Sequence, residues 1–137
     1  MSVFQWPVRV YYEDTDSGGV VYYANYLRFM ERARTEWMRA LGFEQDQLIR
    51  KEGIVFAVRS ANIEFLRPAR FNDLLTVITE LQHRGRASLT FIHTIIRQHE
   101  ASQPCCTGEV KVACINADSF RPQAIPDTLM KEIVDVN

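Results

Sequence analysis

A chain of 137 residues is sized for one domain, here 1–137, and two independent cores would be hard to build from it. With 47% hydrophobic and 24% charged residues the composition is that of an ordinary globular protein, and a net charge of −1 excludes broad electrostatic attraction to nucleic acid or anionic membrane. No apolar run approaches the ~18 residues of a membrane span and MSVFQWPVRV lacks a signal-peptide core, so a cytoplasmic location is expected.

The first predicted element is a strand over 4–12, where Phe4, Trp6, Val8, Val10 and Tyr12 alternate with Gln5, Arg9 and Tyr11. Pro7 places it at a sheet edge or a strand start. An acidic loop follows, Asp14-Thr15-Asp16, which runs through Gly18-Gly19 into a helical period. From about Ala24 to Leu41, Tyr26, Leu27, Met30, Ala33, Trp37, Ala40 and Leu41 recur at three- and four-residue steps. Gly42 is a suitable stop. A helix of that length is roughly 27 Å long, comparable with the whole domain, and should be the central packing element.

A short helix is expected at 44–52, closed by Gly53, and then four strand-like segments at 54–66, 73–83, 87–98 and 107–117. Arg84-Gly85-Arg86 reads as a hairpin turn, and the tail from Ile125 as a short helix with Pro126 near its start. Sequential strands with short turns favour an antiparallel sheet packed on the long helix, hence α+β and not a doubly wound parallel fold. Leu89, Phe91 and Ile95 mark one face of the 87–98 strand and Ile92 and Ile96 the other. The second apolar face would be wet in a monomer, which points to a subunit contact.

Three cysteines (Cys105, Cys106, Cys114) have no C-x-x-C spacing and read as reduced structural thiols. The three histidines (His83, His93, His99) lack metal-site spacing, so no metal is expected.

The segment VYYEDTDSGGVVYYANYLRFMERARTEWMRALG, continued by IVFAVRSANIEFLRPARFNDLL and the RGRAS hairpin, resembles the 4-hydroxybenzoyl-CoA thioesterase family of hot-dog-fold proteins. Within that family it is most similar to the YbgC-type acyl-CoA thioesterases associated with bacterial Tol-Pal operons. The resemblance covers nearly all of the chain. It implies a long helix wrapped by a five-stranded antiparallel sheet, a homodimer or tetramer, hydrolysis of acyl-CoA thioesters, and acyl carrier protein as a further partner. No cofactor is implied beyond the coenzyme A carried by the substrate.

Thioester hydrolysis needs an activated water or a protein nucleophile, and stabilisation of charge on the carbonyl oxygen. Asp16 is the candidate for the first need, as general base or nucleophile, and the resemblance places the catalytic aspartate at this second Asp of DTD. Asp14 reads as an acceptor for loop amides. The positive end of the long helix suits an oxyanion, and the resemblance selects the backbone N–H of Tyr23 as donor. Relatives usually carry histidine at that position; the change keeps the backbone donor and removes an imidazole. Gly18 and Gly19 let the loop curl toward the helix tip.

Glu31 is a supporting candidate, able to order the loop or position water, or simply to pair with Arg28 or Thr35. Arg34 reads either as helix-flank packing or as a subunit contact. Arg84 and Arg86 are candidates for the coenzyme A phosphates, with solvated hairpin arginines as the plain alternative. Arg59 and Ser60 are further candidates on a strand. Tyr22, Phe29, Phe56 and Phe65 could line an acyl pocket, although aromatic core packing is the default. Two other functions compete. An acyl dehydratase would need a site histidine, and none lies within 11–34; a non-catalytic acyl-CoA or acyl-carrier-protein binding module has no evident use for Asp16.

Overall fold

The computed structural model describes residues 3–133. Five strands form one antiparallel sheet in the order β1-β3-β4-β5-β2: β1 Val3–Arg9, β2 Ile54–Phe65, β3 Leu74–Arg84, β4 Ser88–Arg97 and β5 Pro104–Asn116. The long helix α1 spans Asn25–Ala40, the short α2 spans Gln45–Gln47, and α3 spans Asp127–Glu132. This is the α+β class that the sequence pattern predicted and the long helix with a five-stranded antiparallel sheet that the hot-dog resemblance implied. β3, β4 and β5 are consecutive neighbours joined by short connections, whereas β1 and β2 occupy opposite edges. The chain between them, α1 included, therefore has to cross from one edge of the sheet to the other.

The elements follow the periodicity closely, and where they depart the cause is local. β1 stops at Arg9 because Tyr12–Asp14 coils into a 3-10 turn, whose first backbone N–H, that of Tyr11, donates to the Asp14 carboxylate at 2.8 Å. The helix foreseen at 44–52 divides into α2 and a wider helical turn, Leu48–Glu52, ended by Gly53 at φ 67°. Pro7 lies in edge strand β1, where its missing N–H leaves no gap in the sheet interior. The tail helix ends at Glu132; residues 134–137, to which the expected helix extended, lie outside the described residues.

α1 presents Tyr26, Phe29, Met30, Ala33, Trp37 and Met38 to the sheet, all buried. The predicted stripe is thus right along its axis and wrong at its margins. Leu27 and Ala40 are exposed, since they lie near the helix ends and at the edges of the covered arc, while Phe29 and Met38 replace them in the core. The Trp37 ring meets Phe91 of β4 edge to face, with centroids 5.1 Å apart. Gly108 of β5 lies against Met30 of α1: a Cβ there would come within 2.9 Å of the Met30 methyl carbon and 2.8 Å of Ile63 Cδ1. On β4, Leu89, Phe91 and Ile95 are buried toward the core and Ile92 and Ile96, on the other face, are half-buried.

One polar group on that inner row is fully buried. His93 lies between Leu89-Phe91 and Ile95 with no exposed surface. Its Nε2 is 3.0 Å from Arg34 Nη1 on α1, and its Nδ1 is 3.0 Å from Thr79 Oγ1, its cross-strand neighbour in β3. Because a guanidinium only donates, Nε2 is the acceptor and the proton resides on Nδ1, pointing at the Thr79 hydroxyl. Desolvation first, and the Arg34 charge second, push the His93 imidazole down to about 3.

A histidine kept neutral in the fold but free to protonate in the unfolded chain makes stability depend on pH. Its contribution is intact above the unfolded value of 6.5 and is lost as pH falls from there toward about 3. Urea unfolding at stepped pH should show a decline over that window of up to ~1.4 kcal/mol per pH unit from this group. The expected outcome is that His93→Gln shows a correspondingly flatter profile; identical profiles would show that His93 titrates freely in the folded protein.

Candidate functional site

The acidic loop is a miniature hairpin. Thr15 bridges to Val21, and the Asp16 N–H donates to the Val20 carbonyl at 2.9 Å. The Gly19 N–H returns to the Asp16 carbonyl at 3.0 Å, closing a tight turn over Asp16-Ser17-Gly18-Gly19. Gly19 takes φ 80°, the left-handed region in which a side chain would be strained. The Gly18 N–H donates to Asp16 Oδ1 at 2.8 Å. One carboxylate oxygen is therefore fixed by the loop's own backbone; Asp16 itself is exposed, and its Oδ2 has no hydrogen-bond partner among the described residues.

Asp14 connects this loop to the helix. Its carbonyl accepts both the Tyr22 N–H at 2.8 Å and the Asn25 side-chain amide at 2.9 Å, while its carboxylate holds the Tyr11 N–H. Asp14 and Asn25 are buried. A second attachment comes from the 67–72 segment, where the Val21 N–H donates to the Ala69 carbonyl and the Ala69 N–H donates to the buried Tyr26 hydroxyl at 3.1 Å. Burial raises the Tyr26 phenol above the usual tyrosine range, so it remains a neutral hydroxyl.

The helix begins through three bonds of the i to i−3 type: Asn25 to Tyr22, Tyr26 to Tyr23 and Leu27 to Ala24. The N–H groups of Tyr23 and Ala24 have no partner among the described residues. They belong to the orphan donors that every helix start leaves. Around them the surface is aromatic. Tyr23 meets Phe65 edge to face at 5.8 Å, Tyr22 stands beside Tyr23 at 4.9 Å, and all three rings are substantially exposed. Of the candidate acyl-pocket aromatics, Tyr22 and Phe65 thus flank the helix tip. Phe29 is core, fully buried, and Phe56 is half-buried on β2, in a different cavity.

The remaining candidates are more dispersed. Glu31 accepts the Thr35 hydroxyl at 2.7 Å, one of the pairings foreseen, and lies further along α1. Arg84 donates through Nη1 to the carbonyls of Ile133 at 2.7 Å and Met130 at 3.3 Å, at the end of α3. Arg86 is exposed beyond the turn, which is closed by the Gly85 N–H donating to the Ser88 carbonyl, and with Lys131 and Asp127 it borders an open depression. Arg59 and Ser60 are exposed on edge strand β2 at a bulge: pairing with β5 passes from Val58 directly to Ser60, leaving Arg59 out of register. Among the described residues no group of three or more His, Cys, Asp or Glu side chains is placed to hold a metal ion. The three thiols are buried; burial raises all of them, Cys106 to about 12 and Cys114 to about 11, far from a reactive thiolate.

Comparison with known proteins agrees with this architecture. The pattern of the Thioesterase-like superfamily matches residues 10–133. The acyl-CoA thioester hydrolase YbgC of Escherichia coli O6:H1 is 41% identical over 131 residues, 96% of each chain. The acyl-CoA thioesterase YbgC of Haemophilus influenzae is 42% identical over 123 residues, 90% of this chain and 88% of that one. Among solved structures, a probable thioesterase from Bartonella henselae superposes with a TM-score of 0.85 at 35% identity, covering 91% of this chain and 100% of its own. With a family pattern spanning most of the chain and relatives of this identity over almost its full length, the protein belongs to the Thioesterase-like superfamily.

Proposed function

We propose that the protein hydrolyses acyl-CoA thioesters to a free carboxylic acid and coenzyme A, with Asp16 as general base or nucleophile and the Tyr23 backbone N–H as oxyanion donor. The observation that carries this reading is the Asp16 carboxylate itself. One oxygen is anchored by Gly18, the other is unshared, and the loop that holds it is tied through Asp14 to a helix start with unpartnered amides. The names of the YbgC relatives point to the same chemistry.

In the water route, the free carboxylate oxygen removes a proton from a water whose oxygen bonds to the thioester carbon. Negative charge passes to the carbonyl oxygen, which the Tyr23 N–H and the helix dipole stabilise. Collapse breaks the C–S bond, and the thiolate takes up the proton. In the nucleophilic route, Asp16 bonds to the carbon, coenzyme A leaves as thiolate, and water hydrolyses the resulting mixed anhydride. The exposed rings of Tyr22, Tyr23 and Phe65 supply an apolar bed for the acyl group beside the helix tip. Arg86, Arg84, Arg59 and Ser60 are assigned to the coenzyme A moiety. Arg86 and Arg59 are freer than Arg84, which is already engaged by carbonyl oxygens. Edge strand β2, exposed from Val58 to Asn62, is the natural seam for a second copy, giving a homodimer or tetramer. Acyl carrier protein is proposed as an alternative carrier of the acyl group, and the cytosol as the location.

Asp16→Asn keeps an oxygen for the Gly18 N–H but removes the base. Turnover of an acyl-CoA panel, followed by thiol release, should fall at least ~100-fold, with stability within ~0.5 kcal/mol of wild type. Equal turnover in the two proteins would remove Asp16 from the mechanism, and no thiol release from any substrate by the wild type would favour the binding module instead.

Asp14→Ala should behave in the opposite way. It orphans the Tyr11 N–H and should cost about 1–3 kcal/mol in urea unfolding, with activity lost only as far as the loop is loosened. A stability indistinguishable from wild type would contradict the anchoring role. Single turnover in oxygen-18 water bears on the two routes: label entering the Asp16 carboxylate favours the anhydride, and its absence over repeated turnovers favours direct attack by water.

A further inference from the structure

The hairpin that carries Asp16 has two arms. Asp14 holds the outgoing arm, whereas the return arm, Val20-Val21, rests on the segment 67–72. That segment is itself well fastened. At its start the Leu66 and Arg67 N–H groups both donate to the Cys105 carbonyl of β5, at 2.8 and 3.1 Å. At its end the Asn72 N–H donates to the Val10 carbonyl at 2.9 Å, just beyond β1. Between these points Ala69 is fully buried. Its carbonyl takes the Val21 N–H at 2.8 Å, and its own N–H has one acceptor among the described residues, the Tyr26 hydroxyl at 3.1 Å. Tyr26 is buried as well, three residues into α1 from Tyr23, and its backbone N–H donates to the Tyr23 carbonyl at 3.3 Å. A line of hydrogen bonds thus runs from Tyr23 through Tyr26, Ala69 and Val21 to Val20, whose carbonyl accepts the Asp16 N–H at 2.9 Å. One side-chain atom belongs to that line, the Tyr26 oxygen.

We propose that Tyr26 is a positioning residue for the hydrolysis, its hydroxyl fixing the Asp16 carboxylate relative to the Tyr23 amide; the assignment rests on the proposed function. Packing alone accounts for an aromatic ring at this position. The ring meets Phe29 edge to face at 6.2 Å and lies beside Phe65 at 5.8 Å, and neither contact uses the hydroxyl. What the hydroxyl adds is an acceptor for a buried amide. Without it the Ala69 N–H has no partner, and a segment holding an unpaired buried N–H shifts until it finds one. Val21 and Val20 shift with Ala69, and Asp16 follows Val20. The helix start stays where it is, because the Asp14 carbonyl still takes the Tyr22 N–H and the Asn25 amide. The carboxylate and the oxyanion donor therefore move apart, and a misplacement of about 1 Å costs up to ~100-fold in rate. Substrate binding is little affected, since the exposed rings of Tyr22, Tyr23 and Phe65 remain. The loss falls on kcat.

The test compares wild type, Tyr26→Phe, Asp16→Asn and the double variant by thiol release from an acyl-CoA, well below the unfolding transition of each. Tyr26→Phe should lower kcat at least ~10-fold and leave KM within ~2-fold. In the Asp16→Asn background the same change should alter residual turnover by less than ~2-fold, because the hydroxyl acts through the carboxylate. A hydroxyl that serves the fold alone would leave kcat at the wild-type level, or would cost the same factor in both backgrounds; either result overturns the proposal. A defective Asp16→Asn beside an unimpaired Tyr26→Phe overturns the positioning role and spares the mechanism. Full turnover by Asp16→Asn, or none by the wild type, overturns the mechanism and the positioning role with it. Should Tyr26→Phe fail to fold, hydrogen exchange of the wild type decides: Ala69 and Val21 amides protected like those of β3 support the proposal, and exchange as fast as in an exposed loop overturns it.

Discussion

The Asp14 backbone carbonyl and carboxylate are the contacts on which the candidate site depends. Together they take the Tyr11 N–H, the Tyr22 N–H and the Asn25 side chain, so that the end of β1, the glycine turn and the first turn of α1 move as one body. Without them the Gly18-Gly19 segment would spread Asp16 over many positions relative to the helix tip, because glycine has the most conformational freedom to lose. Acyl transfer is sensitive to such spread: displacements of about 1 Å between reacting groups cost orders of magnitude in rate. That Asp14 is buried and Asp16 exposed is therefore a division of labour between two carboxylates separated by one residue. The first fixes backbone; the second is held out where a ligand can meet it.

The fold was legible wherever its determinants are local. Alternation in β3, β4 and β5 is strong because these strands bury one face against α1, and Arg84-Gly85-Arg86 carries ordinary turn chemistry. The period of α1 was equally plain, but the width of its covered arc was not. That width depends on where the sheet curves away, so Leu27 and Phe29 exchanged roles. The place of β2 was the least readable feature. Nothing within 54–65 says that it pairs with β5 at the far edge, since that register joins Ile54 to Asn116 and is set by the whole sheet. The bulge at Arg59 has the same origin.

For the site, the distinction is again between near and distant partners. Asp14, Asp16, Gly18 and Gly19 form a turn whose bonds span a few residues, and turn rules reach that far. The Tyr26 hydroxyl under the Ala69 amide, and the Arg34–His93 contact across 59 positions of sequence, belong to no local rule. A signal for the latter did exist: His93 takes the place of an apolar residue in the row Leu89, Phe91, Ile95. A polar residue at a core position requires a partner, and a donor on the facing helix is where to look.

The identity of that partner has consequences of its own. A carboxylate in the place of His93 would have cancelled the Arg34 charge. An imidazole does something different. It satisfies one N–H while remaining neutral, and the proximity of Arg34 itself helps to keep the imidazole from protonating. Between about pH 3 and about pH 10 the pair therefore carries a single positive charge. The fold bears the desolvation cost of that charge with the exposed Glu31 carboxylate, one turn earlier on α1, as the anion that offsets part of it.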